Sequence, residues 1–300
     1  MTPRSTESHS ATSRQAGERP AEQAAEQSAE HLTDGRSLES GDFDVREFAR
    51  TAQGSHRGQL DLDAITTSGL GSDAIRLLRL LRDLERSTMQ RMRNLLVTAT
   101  HKDARVTAFL TTWAFEKFWI ADALDAVLEA TGDDLHSSAP AGGLRRAVME
   151  RQERRGPVAR AIQGNIDGPQ IVAAHVATGL VDEWITQVAY RRLGELATGL
   201  HSVVDLVNGI KDRHIRFLSE EANRRLASSA RARKLATREL KNMVWPVGAV
   251  EHSDEDRTFF DEIVFGAENG RAEVRRIQDL IGALPGLAPV AQTISARLIP

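Results

Sequence analysis

The 300-residue chain contains no cysteine. Disulfides, thiolate metal sites and a cysteine nucleophile are thereby excluded, and any metal would have to be held by carboxylate and imidazole. No run approaches the ~20 consecutive apolar residues that span a bilayer. The N-terminus, MTPRSTESHSATSRQ, also lacks the apolar stretch of a secretory signal, so a soluble, cytoplasmic protein is expected. An excess of one charge is missing as well: 42 acidic and 39 basic residues leave a formal charge of -3. No global field therefore directs the chain to nucleic acid or to an anionic membrane, and neither is an expected partner. Strand-like alternation, heptad runs and Gly-rich phosphate loops are absent too, which disfavours nucleotide-binding folds.

What is present is helical periodicity. Residues 1–42 are dominated by Ser, Thr, Glu, Gln, Ala and Arg with little to bury, and the composition predicts a disordered tail. The remainder, 43–300, is predicted to form one helical domain, with a core over about 72–228 and further helices over about 229–284. From Ser72 the apolar residues Ile75, Leu78, Leu81, Leu84, Met92, Leu95 and Leu96 recur at threes and fours, giving a helix over about 72–100. Asp103 is placed to cap a second helix, through Val106, Phe109, Leu110, Trp113, Ile120, Leu124 and Leu128, that ends near Gly132. The connection is short, so the two pack as antiparallel neighbours.

Residues 132–169 are punctuated by SSAPAGG, RRGP and IDGP, with only a short basic helix expected over 143–164. A third helix follows Pro169 and ends near Gly199, and a fourth runs from about Ser202 through Val203, Leu206, Ile210, Phe217, Leu218 and Leu226. Beyond Ser228 come a basic helix to about 244, the break WPVG, and helices near 253–266 and 269–283; the end, LPGLAPV, reads as loop. The result is an all-α chain of two long hairpins joined by one long crossover, the topology of ferritin-like bundles.

A di-iron carboxylate site in such a bundle takes a Glu from each of two helices and a Glu-x-x-His pair from each of the other two. Glu85 and Glu183 stand at single-acid positions on the first and third helices. FLTTWAFEKFWIADAL (109–124), DEWITQVAYRRL (182–193) and GIKDRHIRFL (209–218) resemble three helices of bacterial ferritin-like proteins related to acyl-carrier-protein desaturases. The likeness covers about residues 75–230. It implies a di-iron four-helix bundle, and laid on residue by residue it shows where this chain departs. The second-helix pair falls on Lys117 and Ile120, with Glu116 one residue before the ligand position and about 100° round the helix. The fourth-helix pair falls on Lys211 and His214.

Four carboxylates balance two divalent ions, whereas two Glu and two Lys already sum to zero. Lys117 and Lys211 are therefore expected to pair with Glu183 and Glu85 across the bundle, with His214 as a hydrogen-bonded core histidine and no resident metal. The leading reading is a ferritin-like protein with a degenerate site, acting as a binding or structural protein toward an unidentified protein or small molecule, and forming a homodimer. The alternative is an iron or manganese oxidoreductase of desaturase or oxygenase type using Glu85, Glu116, Glu183 and His214. A third reading is an adaptor for nucleic acid or membrane through Arg145, Arg146, Arg151, Arg154 and Arg155, or through the stretch from Arg224 to Lys241. Trp113, Phe115, Phe118, Trp119 and Trp184 are read as core packing.

Overall fold

In the computed structural model, residues 43–132 and 168–300 are described. The expected N-terminal tail and the crossover, with its basic helix and five arginines, lie outside them. The described helices are α1 (Val45–Thr51), α2 (Leu62–Ser68), α3 (Ser72–Leu96), α4 (Ala104–Ala130), α5 (Ile171–Leu196), α6 (His201–Ser228), α7 (Ala230–Asn242), α8 (Asp254–Phe265), α9 (Glu268–Ala283) and α10 (Ala288–Ser295). No strand occurs among the described residues.

The two long hairpins are α3–α4 and α5–α6. Both are antiparallel: Arg82 meets Asp125 while Glu85 meets Lys117, and Gly179 packs on Leu218 while Gly194 packs on Val204. On α3, Leu77, Leu78, Leu81 and Leu84 are buried and Arg86, Gln90 and Arg93 are exposed, the division expected of an amphipathic helix at the bundle surface. On α5 nearly every position from Ile171 to Tyr190 is buried. That helix packs against α3, α6, α7, α8 and α9, and a helix apolar all round has to be enclosed in this way. The C-terminal helices thus complete the enclosure of α5. The core is continuous, and its aromatic centre includes Phe109 stacked on Phe217 at 3.8 Å between centroids, with Phe43 and Phe48 closing on them at 5.3–6.3 Å.

Local chemistry sets the boundaries. The Asp103 carboxylate accepts from the Val106 amide at 3.0 Å and starts α4; Ser229 and Ser253 cap α7 and α8 in the same way. Three features depart from the sequence reading. The first long helix ends at Leu96, because Thr98 turns the chain by accepting from the Thr100 amide and a 3-10 turn, Ala99–Lys102, follows. Residues 43–71 carry two short helices, capped by Asp44 and Asp61, and Phe48 of the first is driven into the core. The expected C-terminal loop is a turn and then α10: Gly286 takes φ +76°, and Pro289 sits in the first turn of the helix, where a missing N–H costs nothing.

Phe217→Ala should remove a fully buried ring from the centre of this core, with an expected loss of roughly 3–5 kcal/mol. Urea denaturation of the variant beside the native chain measures it.

Candidate functional site

Each of the four long helices sends one charged side chain to the middle of the bundle. Glu85 comes from α3, Lys117 from α4, Glu183 from α5 and Lys211 from α6, and none is more than 2% exposed. The Lys117 Nζ lies 2.8 Å from Glu85 Oε2 and 3.1 Å from Glu183 Oε1. The Lys211 Nζ lies 3.1 Å from Glu85 Oε1 and 2.7 Å from Glu183 Oε2. Each ammonium therefore touches both carboxylates, and each carboxylate meets both ammoniums, in a closed ring with zero net charge.

Neutral donors complete the carboxylates. Trp113 Nε1 donates to Glu183 Oε1 at 2.7 Å, and the Tyr190 hydroxyl donates to Glu85 Oε1 at 3.1 Å. Lys211 also donates to the Thr186 hydroxyl at 2.9 Å. One helical turn from Lys211, His214 Nε2 is 2.8 Å from Glu116 Oε2, while the other Glu116 oxygen accepts from Arg213 Nη2 at 2.5 Å. His214 Nδ1 stands 3.6 Å from Glu183 Oε1, beyond hydrogen-bond reach, and is buried without a hydrogen-bond partner. Phe48 and Phe109 meet the His214 ring edge-on at 6.0 and 6.3 Å, so hydrocarbon lies against the imidazole.

Burial alone would raise the carboxylate pKa values, but the adjacent Lys117 and Lys211 ammoniums outweigh it and hold Glu85 below, and Glu183 well below, the ordinary glutamate range. For Lys117 burial works against the charge and the Glu183 and Glu85 carboxylates overcome it, leaving the ammonium above the ordinary lysine range. Burial and the neighbouring Glu85 carboxylate push the Tyr190 hydroxyl well above its usual value. Asp182, beside Glu183, is raised by burial although Arg91 contacts it at 2.8 Å.

The structure thus brings Glu85, Lys117, Glu183 and Lys211 into direct contact and joins Glu116 to His214 at the edge of the same cluster. Glu116 is buried, and its place round the helix turns it to Arg213 and His214, away from the ring of four. Ile120, at the expected histidine position, is wholly buried. The spacing of Trp113 predicts packing alone; the side chain packs and also donates to Glu183. Phe115 and Phe118, expected in the core on the same ground, are exposed, because they lie on the outward face of α4. Arg213 and Thr186 escape sequence reading. Their side chains act across helices, and neither carries a local pattern beyond helical spacing. In the basic stretch after Arg224, Arg224 and Arg225 pair with Glu221 and Arg238 with Glu239, so much of its charge is balanced within the chain.

No protein-family model matches the chain, and no curated protein matches it. Among solved structures, a point mutant of an R2-like ligand-binding oxidase, with an aerobically reconstituted Mn/Fe cofactor, aligns over 88% of this chain and 95% of its own, with a TM-score of 0.50 and 16% identity. The likeness at that identity is one of fold, and the fold is the ferritin-like helical bundle.

The charge ring ties stability to pH at both ends. The depressed carboxylates contribute stability that is complete above the ordinary glutamate value of 4.5 and is lost as pH falls through their folded values. The raised Lys117 contributes stability that is complete below the ordinary 10.5 and is lost as pH rises through its folded value. Lys211→Met should leave a buried carboxylate uncompensated and cost roughly 3–5 kcal/mol at neutral pH. Its stability should recover relative to the native chain as pH falls, because a buried carboxylate that has lost an ammonium partner takes up a proton at higher pH than the paired carboxylates of the native ring. Urea denaturation as a function of pH checks both statements.

Proposed function

We propose that this chain is a ferritin-like bundle in which a Lys₂Glu₂ ion cluster stands at the bundle centre, where di-iron carboxylate bundles hold metal, and that it works as a binding or structural protein without redox chemistry. One observation carries the reading: both ammonium nitrogens lie within 3.1 Å of both central carboxylates. The donor set does not fit two divalent ions. Among the described residues no group of three or more His, Asp and Glu side chains is gathered as for a metal ion. An entering cation would have to displace one lysine and face the other in a medium of low dielectric, where like charges repel strongly. Lys117 is equally unsuited to amine chemistry, since it is held as the ammonium and lacks the lone pair a nucleophile needs.

The second reading is an iron or manganese oxidoreductase built on Glu85, Glu116, Glu183 and His214. It is favoured by the Glu116–His214 contact of 2.8 Å and by the Mn/Fe cofactor of the structurally similar oxidase. Elemental analysis of protein produced with added iron and manganese separates the two. The proposal expects less than one metal ion per chain. Two bound per chain would overturn it. A constructive test runs the other way: Lys117→Glu with Lys211→Glu and Ile120→His restores the carboxylates and imidazole of a di-metal set. This triple variant should bind iron or manganese where the native chain does not.

A further inference from the structure

Large apolar side chains left exposed on a helical bundle are ordinary singly and mark a binding surface where they gather. Among the described residues these are Met89, Val97, Phe115, Phe118, Val244, Val250 and Ile299. Four of them belong to the α3–α4 hairpin: Met89 on α3, Val97 at its end, and Phe115 and Phe118 on α4, the last two 43% and 51% exposed.

The outward face of α4 is unusual along its length. Its exposed positions from Ala104 to Phe118 are Ala104, Ala108, Thr111, Phe115 and Phe118. They follow at four, three, four and three residues, which is one continuous stripe on a helix, about 21 Å long at 1.5 Å per residue. None is charged. The stripe is also graded: small side chains fill its N-terminal half and large aromatic ones its C-terminal half, with Thr111 between.

Such a stripe is complementary to itself when reversed. If a second α4 lies antiparallel to the first with Thr111 against Thr111, Ala104 faces Phe118 and Ala108 comes within one residue of Phe115, so each ring meets the space that an alanine leaves. A two-fold interface has this reciprocity by construction. The charges at the two ends follow the same rule. Lys102 is exposed just before the alanine end. Beyond the phenylalanine end, the two carboxylates of Asp122 and Glu129 share the single guanidinium of Arg57. In the antiparallel register Lys102 arrives within two residues of Asp122 on the second copy. An apolar centre rich in aromatics, with charge confined to its rim, is the ordinary anatomy of a protein interface.

We infer that the α4 stripe from Ala104 to Phe118 is the interface of a two-fold symmetric homodimer, with Thr111 on the axis and the phenylalanines of each copy seated on the alanines of the other. This inference does not depend on what the bundle centre holds.

The absence of cysteine makes the register directly testable. Sedimentation equilibrium at micromolar concentration should return twice the chain mass of 33.0 kDa, and Phe118→Glu should return the single-chain mass with an unchanged helical spectrum. Under mild oxidation, Thr111→Cys should cross-link to a disulfide dimer. Phe118→Cys alone should stay largely uncross-linked, whereas Ala104→Cys combined with Phe118→Cys should cross-link. A native chain that sediments as a monomer overturns the inference, as does a dimer whose Thr111→Cys variant fails to cross-link. Should Phe118→Glu fold poorly, the cysteine variants, which leave most of the stripe intact, still decide it.

Discussion

Four charges buried in the middle of a helical bundle are tolerated only if they cancel. Taking an ammonium or a carboxylate out of water costs on the order of several kcal/mol per ion, and attraction offsets that cost only where every charge has close partners of opposite sign. Here each helix supplies one member, and the order of signs along the chain, Glu85, Lys117, Glu183, Lys211, lets every lysine touch both glutamates. Rotation or sliding of one long helix against the others would break at least two of these contacts. The ring therefore acts on register: it penalises misaligned packings of an apolar interior that would otherwise accept several. Trp113 and Tyr190 serve the same end by donating to the carboxylate oxygens, each from a different helix than the carboxylate it meets.

The elements that enclose this centre divide by how plainly they announce themselves. The four long helices and the three that follow them were legible because apolar residues at threes and fours leave little choice of secondary structure, and Asp103 marks a start by its own chemistry. The short helices of residues 43–71 were not, since seven-residue segments offer barely two turns of periodicity and their stability comes from Phe43, Phe48 and Ile65 reaching the core. The C-terminal helix was hidden by its own punctuation. Proline and glycine there read as interruption, yet the glycine makes the turn and the proline opens the next helix.

At the centre, residue types were informative where three-dimensional partners were not. Glu85, Lys117, Glu183, Lys211 and His214 could be named from sequence because the resemblance fixes which positions face inward. That Glu116 turns to Arg213 and His214 could not, because a rotation of one residue round a helix decides between the ring and its edge. The outward face of α4 is hidden for a related reason. Aromatic residues within a few positions of each other all look like core until burial separates Trp113 from Phe115 and Phe118. The fold accommodates both the metal-bearing oxidase it resembles and a centre held by lysines, because helix packing depends on the size and charge balance of what fills the middle.

Tyr190 is the chain's only tyrosine, wholly buried, with its hydroxyl bound to Glu85. Burial and that carboxylate hold its proton far beyond the range of a phenol in water. One chromophore thus reports on one place: in solution more alkaline than the ordinary phenol value of 10.0, the near-ultraviolet band of phenolate, which needs no label and has no second tyrosine to confuse it, will rise as the centre of the bundle opens. The protein carries its own optical gauge of whether its innermost contacts are intact.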